Sequence, residues 1–312
     1  MSFTEKKASG AVVVIAFAIV YIVWGSTYFF IQRALTGFSP YMLGALRFLT
    51  AGILMSVWCL LRKEQLFNRR QMFNAAITGL LLLFLGTGAV IIAETKLPSS
   101  MVGVIITSEV IWLVLFDSSK WKENFSNRGT IPGLLLGLGG VVLLFIERML
   151  EQGFAGQIWV YLVLVGGTMS WAAGSVFSKS RASGSSSVNA SWQMIAAGVA
   201  FFLTSIFTGD WQATRWQEIP LNAWLSVLYL IIMGSLAAFS AYVWLLKVRP
   251  ITQVSTHLYV NPVVAVILGA LFADEHMTSL QFLGLFFILF SVLLINLSQY
   301  RMPKLFTRPL LK

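Results

Sequence analysis

The sequence predicts an all-α integral membrane protein, with ten transmembrane helices arranged as two inverted five-helix repeats around a central cavity. Three observations lead there. The first is composition: 57% of residues are hydrophobic and 11% charged, with a mean hydropathy of +0.80, whereas soluble domains carry about 25% charged residues. The second is a series of ten apolar stretches, each near the roughly 20 residues that cross a hydrocarbon core about 30 Å thick. The third is internal repetition. VWGSTYFFIQR around Trp24 is echoed by SWAAGSVFSKSR around Trp171, with Trp24 opposite Trp171 and Phe30 opposite Phe177. Five spans separate the copies, so the second enters the bilayer inverted. Inverted repeats commonly build carriers that hold their cargo at the midplane.

The stretches run 10–34, 40–61, 73–95, 98–117 and 130–147, a first repeat over 10–147. They continue 156–178, 188–208, 222–246, 252–273 and 279–298, a second repeat over 156–298, with 1–9 and 299–312 as tails. Each is predicted helical, because lipid cannot satisfy free backbone N–H and C=O groups. The first stretch follows Lys6 and Lys7 but is too long for a signal peptide and lacks a small-x-small cleavage pattern, so it reads as a retained helix. Cys59 is the one cysteine, a packing residue that allows neither a disulfide within the chain nor a metal cluster. The row Gly133, Gly137, Gly140 reads as close helix packing, with a dimer seam as the alternative. SGSSSVNAS over 183–191 reads as a flexible loop.

Lys and Arg set the orientation. With a cytoplasmic N-terminus, 17 of them fall in inside segments, and Arg33, Lys96, Arg148 and Arg215 are the 4 outside, with Arg47 within a span. Both termini are therefore predicted cytoplasmic. The net charge of +10 lies in short loops facing anionic headgroups, so lipids and not nucleic acid are the partners it implies.

The second parts of the repeats also align. Gly86 in GTGAVIIAETKLPSS matches Gly234 in GSLAAFSAYVWLLK, placing Glu94 opposite Tyr242. LPSSMVGVIITSEVIW matches ITQVSTHLYVNPVV, placing Glu109 opposite Asn261 and Val110 opposite Pro262. At 1.5 Å per residue, Glu109 and Asn261 lie roughly 16 and 15 Å from opposite ends of their helices, and Trp24 and Trp171 roughly 20 Å along theirs. All four are predicted near the bilayer centre.

WGSTYFFIQRAL, LGALRFLTAGIL, AETKLPSS, SWAAGSVFSKSR and LYVNPVVAVILGALFADE, in order over residues 10–300, resemble the drug/metabolite transporter superfamily, specifically its ten-helix EamA-type permeases. The resemblance implies a cavity lined by helices 1–4 and 6–9, with 5 and 10 peripheral, and the outward carriage of small metabolites, amino acids or drugs. Two departures stand out. Similar permeases place Pro where this chain has Val110, next to an apolar residue where it has Glu109. The usual Gly-Glu after the fourth span is replaced by DSSKWKEN, whereas Asp274-Glu275 is kept in the second half. These remove the ground for a proline-kinked gate in helix 4 and add an ionisable group at midplane.

The candidate substrate pathway comprises Trp24, Ser26, Arg47, Glu94, Glu109, Trp171, Ser175, Tyr242, His257 and Asn261, with Pro262 as a hinge. Carboxylates within spans are costly and mark function, so Glu109 is read as exchanging protons or meeting a cationic group on the cargo, against a permanently protonated buried acid. Arg47 is read as an ion-pair partner of Glu94, as an anion site, or as a snorkelling side chain. His257 shares a face with Asn261 and titrates near neutral pH when unperturbed; a satisfied core histidine is the alternative. Trp24 and Trp171, too deep for an interfacial belt, are read as cavity lining rather than packing. Asn261-Pro262 is expected to break or kink helix 9 and to free a carbonyl and an amide for ligand. Ser26, Ser175 and Ser108 offer hydroxyls to cargo or to neighbouring helices.

Lacking a P-loop, the chain is expected to be a secondary carrier working by alternating access, with no cofactor and no bound metal, as a monomer or homodimer. A membrane enzyme on lipid-linked substrates would call for clustered carboxylates or a nucleophile with its base. A channel would call for charged rings or a filter. A single buried Arg argues against a polyanionic substrate, and the aromatic and polar candidates suit an amphipathic metabolite, an amino acid or a cationic drug.

Overall fold

The computed structural model describes residues 9–97, 99–122, 129–152, 158–272 and 278–300. Helices α1 (Gly10–Ala34), α2 (Pro40–Leu61) and α3 (Arg69–Glu94) are followed by α4 (Ser99–Thr107), α5 (Glu109–Phe116) and α6 (Thr130–Gln152). Then come α7 (Ile158–Arg181), α8 (Ser186–Phe207), α9 (Leu221–Val248), α10 (Ile251–Val254), α11 (His257–Phe272) and α12 (Ser279–Tyr300). There is no strand among the described residues. Among the described residues six helices, α1, α2, α3, α7, α8 and α9, are long and apolar enough to cross a membrane. Shorter apolar runs occupy Ile105–Phe116, Thr130–Leu143 and Phe282–Ile295. Large apolar side chains such as Ile15, Leu61, Phe73, Ile158 and Phe207 are exposed, as a lipid-facing surface requires.

Local chemistry sets the helix starts. Ser39 caps α2, its hydroxyl accepting from Met42 N, with Pro40 in the first turn where no N–H is needed. The Asn68 side chain caps α3 by accepting from Gln71 N. Two helices widen into π-helix midway, α3 over Leu80–Thr87 and α9 over Leu230–Phe239. The aligned glycines Gly86 and Gly234 lie within them, and π segments recur at functional sites.

Two interruptions correct the expected helix geometry. The helical path breaks at Ser108, between α4 and α5, although no proline stands there. Ser108 N donates to Ile105 O and Ile111 N to Ser108 O, both one residue short of α-helical spacing. Pro262, by contrast, lies inside α11, and the break falls upstream at Ser255–Thr256. The ring removes a donor and crowds the turn before it. That turn is 258–261, however, and at the break itself Ser255 and Thr256 donate their hydroxyls back to Thr252 O and Gln253 O, competing with the helical ladder there.

Packing joins the two halves of the chain. Helix α1 packs on α9 and α11, α7 on α3 and α5, α2 on α8, and α6 on α12. The glycine row of α6 faces α12 within the chain: a Cβ on Gly133 would lie 2.7 Å from Ile295, and one on Gly140 2.9 Å from Gly284 O. The row is therefore close packing and not a seam for a second copy.

One face of the bundle carries the loops 62–68, 182–185 and 249–250, and it is tied shut. Gln71 Nε2 donates to Asn189 Oδ1 (3.2 Å) and Ser185 O (3.3 Å). Asn74 Nδ2 donates to Arg181 O (3.3 Å), and Trp192 Nε1 to Leu66 O (2.8 Å). Lys179 Nζ donates to Leu246 O (3.1 Å) and to Arg249 O. Gly79 lies directly on the Gln193 backbone, leaving no room for a side chain.

Candidate functional site

A cavity with about 710 Å3 of empty space, counting the part open to solvent, lies between the two halves. Its lining comes from the second half of α1 (Trp24 to Ile31), the first half of α2 (Arg47, Phe48) and the π and following turns of α3. The α4–α5 break, α7, the π segment of α9 and the first turns of α11 complete it. It thus begins at mid-bundle and extends away from the tied face.

Six expected residues meet on its surface: Trp24, Arg47, Glu109, Trp171, His257 and Asn261. Trp24 and Trp171 sit edge to face, with ring centroids 5.5 Å apart at 83°, an arrangement favoured by the ring quadrupoles. The Trp24 indole N–H donates across the halves to Gly234 O (3.3 Å). Tyr242 lies behind the pair, its ring 4.9 Å from Trp24 and 5.7 Å from Trp171. Its oxygen accepts from Trp171 Nε1 (3.0 Å). Ser175 gives its proton to Trp171 O (2.8 Å), so Tyr242 donates to Ser175 Oγ (2.7 Å). Both residues support the lining from behind.

His257 contacts Trp24 and Tyr242 edge-on, at 5.1 and 5.4 Å. Its Nδ1 lies 2.8 Å from Val254 O. A carbonyl only accepts, so Nδ1 carries the proton and the neutral ring keeps Nε2 as an acceptor. Asn261 clamps α11 to α1. With its amide turned to satisfy the surrounding carbonyls, the nitrogen donates to Tyr21 O (3.2 Å) and His257 O (3.0 Å). The amide N–H groups expected to serve ligand are thus used structurally, and the side-chain oxygen is what remains. Gly25 makes this approach possible, since a Cβ there would lie 2.9 Å from Asn261 O.

Glu109 opens α5, where the helical path is interrupted, and its Oε1 is buried without a hydrogen-bond partner, as is Ser108 Oγ beside it. A carboxyl oxygen left unpaired at such depth is costly.

The expected ion pair between Arg47 and Glu94 is not formed. Arg47 is 5% exposed, donates its Nε to Ser235 Oγ (2.9 Å) and places its guanidinium 4.8 Å from the Phe48 ring centre. Gly234 makes room for Nη2: a Cβ there would lie 3.0 Å from it. Glu94 is also buried, but outside the lining, and neither of its oxygens has a hydrogen-bond partner. Competition explains the outcome: Ser235 on α9 captures Nε and turns the guanidinium towards the cavity. Ser26 also faces elsewhere. It donates to Val23 O (2.7 Å) and accepts from Tyr229 (2.7 Å), whose ring stacks on Phe30 at 3.9 Å.

A model of the EamA-like transporter family matches residues 11–146 and again residues 158–297. The chain belongs to this family. This EamA-like transporter is 33% identical to YedA, an uncharacterised inner membrane transporter of Escherichia coli strain K12, over 91% of this chain and 90% of that one. It is 23% identical to a probable amino-acid metabolite efflux pump of the same strain, over 85% of this chain and 88% of that one. A solved protein structure superposes with a TM-score of 0.78 at 20% identity, covering 94% of this chain and 99% of that one. That likeness is one of fold.

The EamA-like transporter also places residues in the cavity that the sequence reading passed over: Tyr28, Thr87, Thr168 and Phe48 line it, and Ser235 orients Arg47. A signal existed for two of them. In the repeat register that pairs Trp24 with Trp171, Tyr28 stands opposite Ser175, and Ser235 directly follows the aligned Gly234.

Proposed function

We propose that this EamA-like protein is a secondary transporter of the bacterial inner membrane that exports a small amphipathic metabolite, amino acid or drug by alternating access. The observation that carries the reading is a cavity shared by both halves, with Trp24, Trp171, Arg47 and Glu109 on one surface. It extends away from the face that Gln71–Asn189, Asn74–Arg181 and Trp192–Leu66 tie together. The ten-span, inverted-repeat reading draws support from the packing. Exchanging the two halves turns the contacts of α1 with α9 and α11 into those of α7 with α3 and α5, and leaves α2–α8 and α6–α12 unchanged.

With both termini cytoplasmic, as the Lys and Arg distribution predicts, the tied face is the cytoplasmic one and the cavity belongs to the outer half. The inner-membrane location and the outward direction follow the names of the two E. coli relatives. Driving force comes from an ion gradient or from the cargo's own gradient. The protein supplies binding and gating and no bond-making chemistry, and Pro262 with the Ser255–Thr256 break is where α10 and α11 would hinge. Glu109 is the carrier if protons are exchanged. Counterflow in proteoliposomes tests this: Glu109→Gln should flatten the pH dependence of exchange, and an unchanged profile would remove the proton role.

A further inference from the structure

Resting on that transport reading, we infer that Arg47 is the recognition site for a single carboxylate on the cargo, whose flat apolar body lies against Trp24 and Trp171. A guanidinium withdrawn from water needs an anion or a full set of acceptors. Arg47 lines the cavity and has one hydrogen bond from Nε, to Ser235, while among the described residues no carboxylate forms an ion pair with it. Glu94, the partner expected for it, lies off the lining with both oxygens unpartnered. The cavity surface therefore presents a fixed cation that no carboxylate is paired with; Glu109, the one acid among the lining residues, forms no ion pair with it.

The geometry selects the ligand class. Ser235 on α9 and the Phe48 ring hold the guanidinium plane in place, and Gly234 leaves space around Nη2. A guanidinium fixed in this way offers two parallel N–H donors, which match the two oxygens of a carboxylate. One cation suits a monoanion and leaves a phosphorylated polyanion undercompensated. The two indoles supply aromatic surface for the remainder of the molecule.

The test uses the full-length protein in detergent and three probes of one shape: phenylacetate, phenylacetamide and phenethylamine. Thermal-shift titration should give phenylacetate an affinity at least about tenfold above the amide, the usual worth of a charge-assisted hydrogen bond. Arg47→Gln should erase that preference while amide binding persists. Ser235→Ala should reduce it, which keeps the proposal decidable should Arg47→Gln fail to fold. Equal affinities for acid and amide, no binding of the acid, or a preference that survives Arg47→Gln would overturn it. Tightest binding of the amine, with exchange in proteoliposomes, would overturn the carboxylate site and leave the transporter standing. Binding of the acid through Arg47 without exchange would do the reverse.

Discussion

Two corners of the cavity occupy matching places in the repeat and have opposite characters. In α7 and α9, Trp171, Ser175 and Tyr242 form a closed set: indole to phenol, phenol to serine, serine to backbone, each donor with an acceptor. In α1 and α3 the matching positions hold Trp24, Tyr28 and Glu94. There the indole reaches across to Gly234 O, Tyr28 lines the cavity, and neither Glu94 oxygen is hydrogen-bonded. Satisfied buried networks rigidify a fold, whereas unsatisfied ones store cost and signal a role outside packing. One corner is thus scaffold, and the other holds a carboxyl in reserve.

The scaffold corner should break hardest. Tyr242 is 1% exposed and touches both tryptophans and His257. Tyr242→Ala should cost about 3–5 kcal/mol, the usual range for emptying a buried aromatic site, read as a fall in thermal unfolding temperature in detergent. Tyr242→Phe keeps the volume but strands the Trp171 N–H, and should cost about 1–3 kcal/mol. If both variants unfold like the parent, the corner is not the scaffold that its hydrogen bonds imply.

The same contrast shows how far the sequence could be read. The pairing of Trp24 with Trp171 was legible because tryptophans at matching positions of two repeats converge on the shared axis, and they touch in the structure. A break was expected at Asn261-Pro262, but the helix runs through Pro262 and is interrupted further upstream, at Ser255–Thr256, where two hydroxyls bond back to the backbone. Three features were not legible. The break at Ser108 has no proline to announce it. Ser26 is taken by Tyr229, a residue of the other half that no local pattern connects to it. Arg47 and Glu94 looked like partners at similar depth, but Ser235 on α9 intervenes. Depth and face can be counted along a helix; a rotamer set by a third helix cannot.

Glu94→Gln probes the reserve corner with a smaller effect. The substitution keeps shape and replaces a carboxyl whose oxygens make no hydrogen bond, so unfolding temperature should hold or rise slightly. Removing an acid that can compete for Arg47 should leave phenylacetate binding as tight or tighter in the same thermal-shift titration. Weaker acid binding in this variant would mean that Glu94 cooperates with the cargo rather than competing with it.

The finest test sets Tyr28 against Ser175, the matching pair one turn beyond each tryptophan. Ser175 is fully buried and accepts the proton of Tyr242 while donating to Trp171 O. Ser175→Ala therefore leaves the phenol without its acceptor and should cost about 1 kcal/mol. Tyr28 is half-buried on the cavity wall, so Tyr28→Phe removes a hydroxyl that no part of the scaffold depends on. Its effect on unfolding should stay within about 0.5 kcal/mol, with any change confined to ligand affinity or exchange rate. Should Tyr28→Phe destabilise the protein as much as Ser175→Ala, the first corner would be scaffold as well, and the division between a structural half and a functional half would not hold.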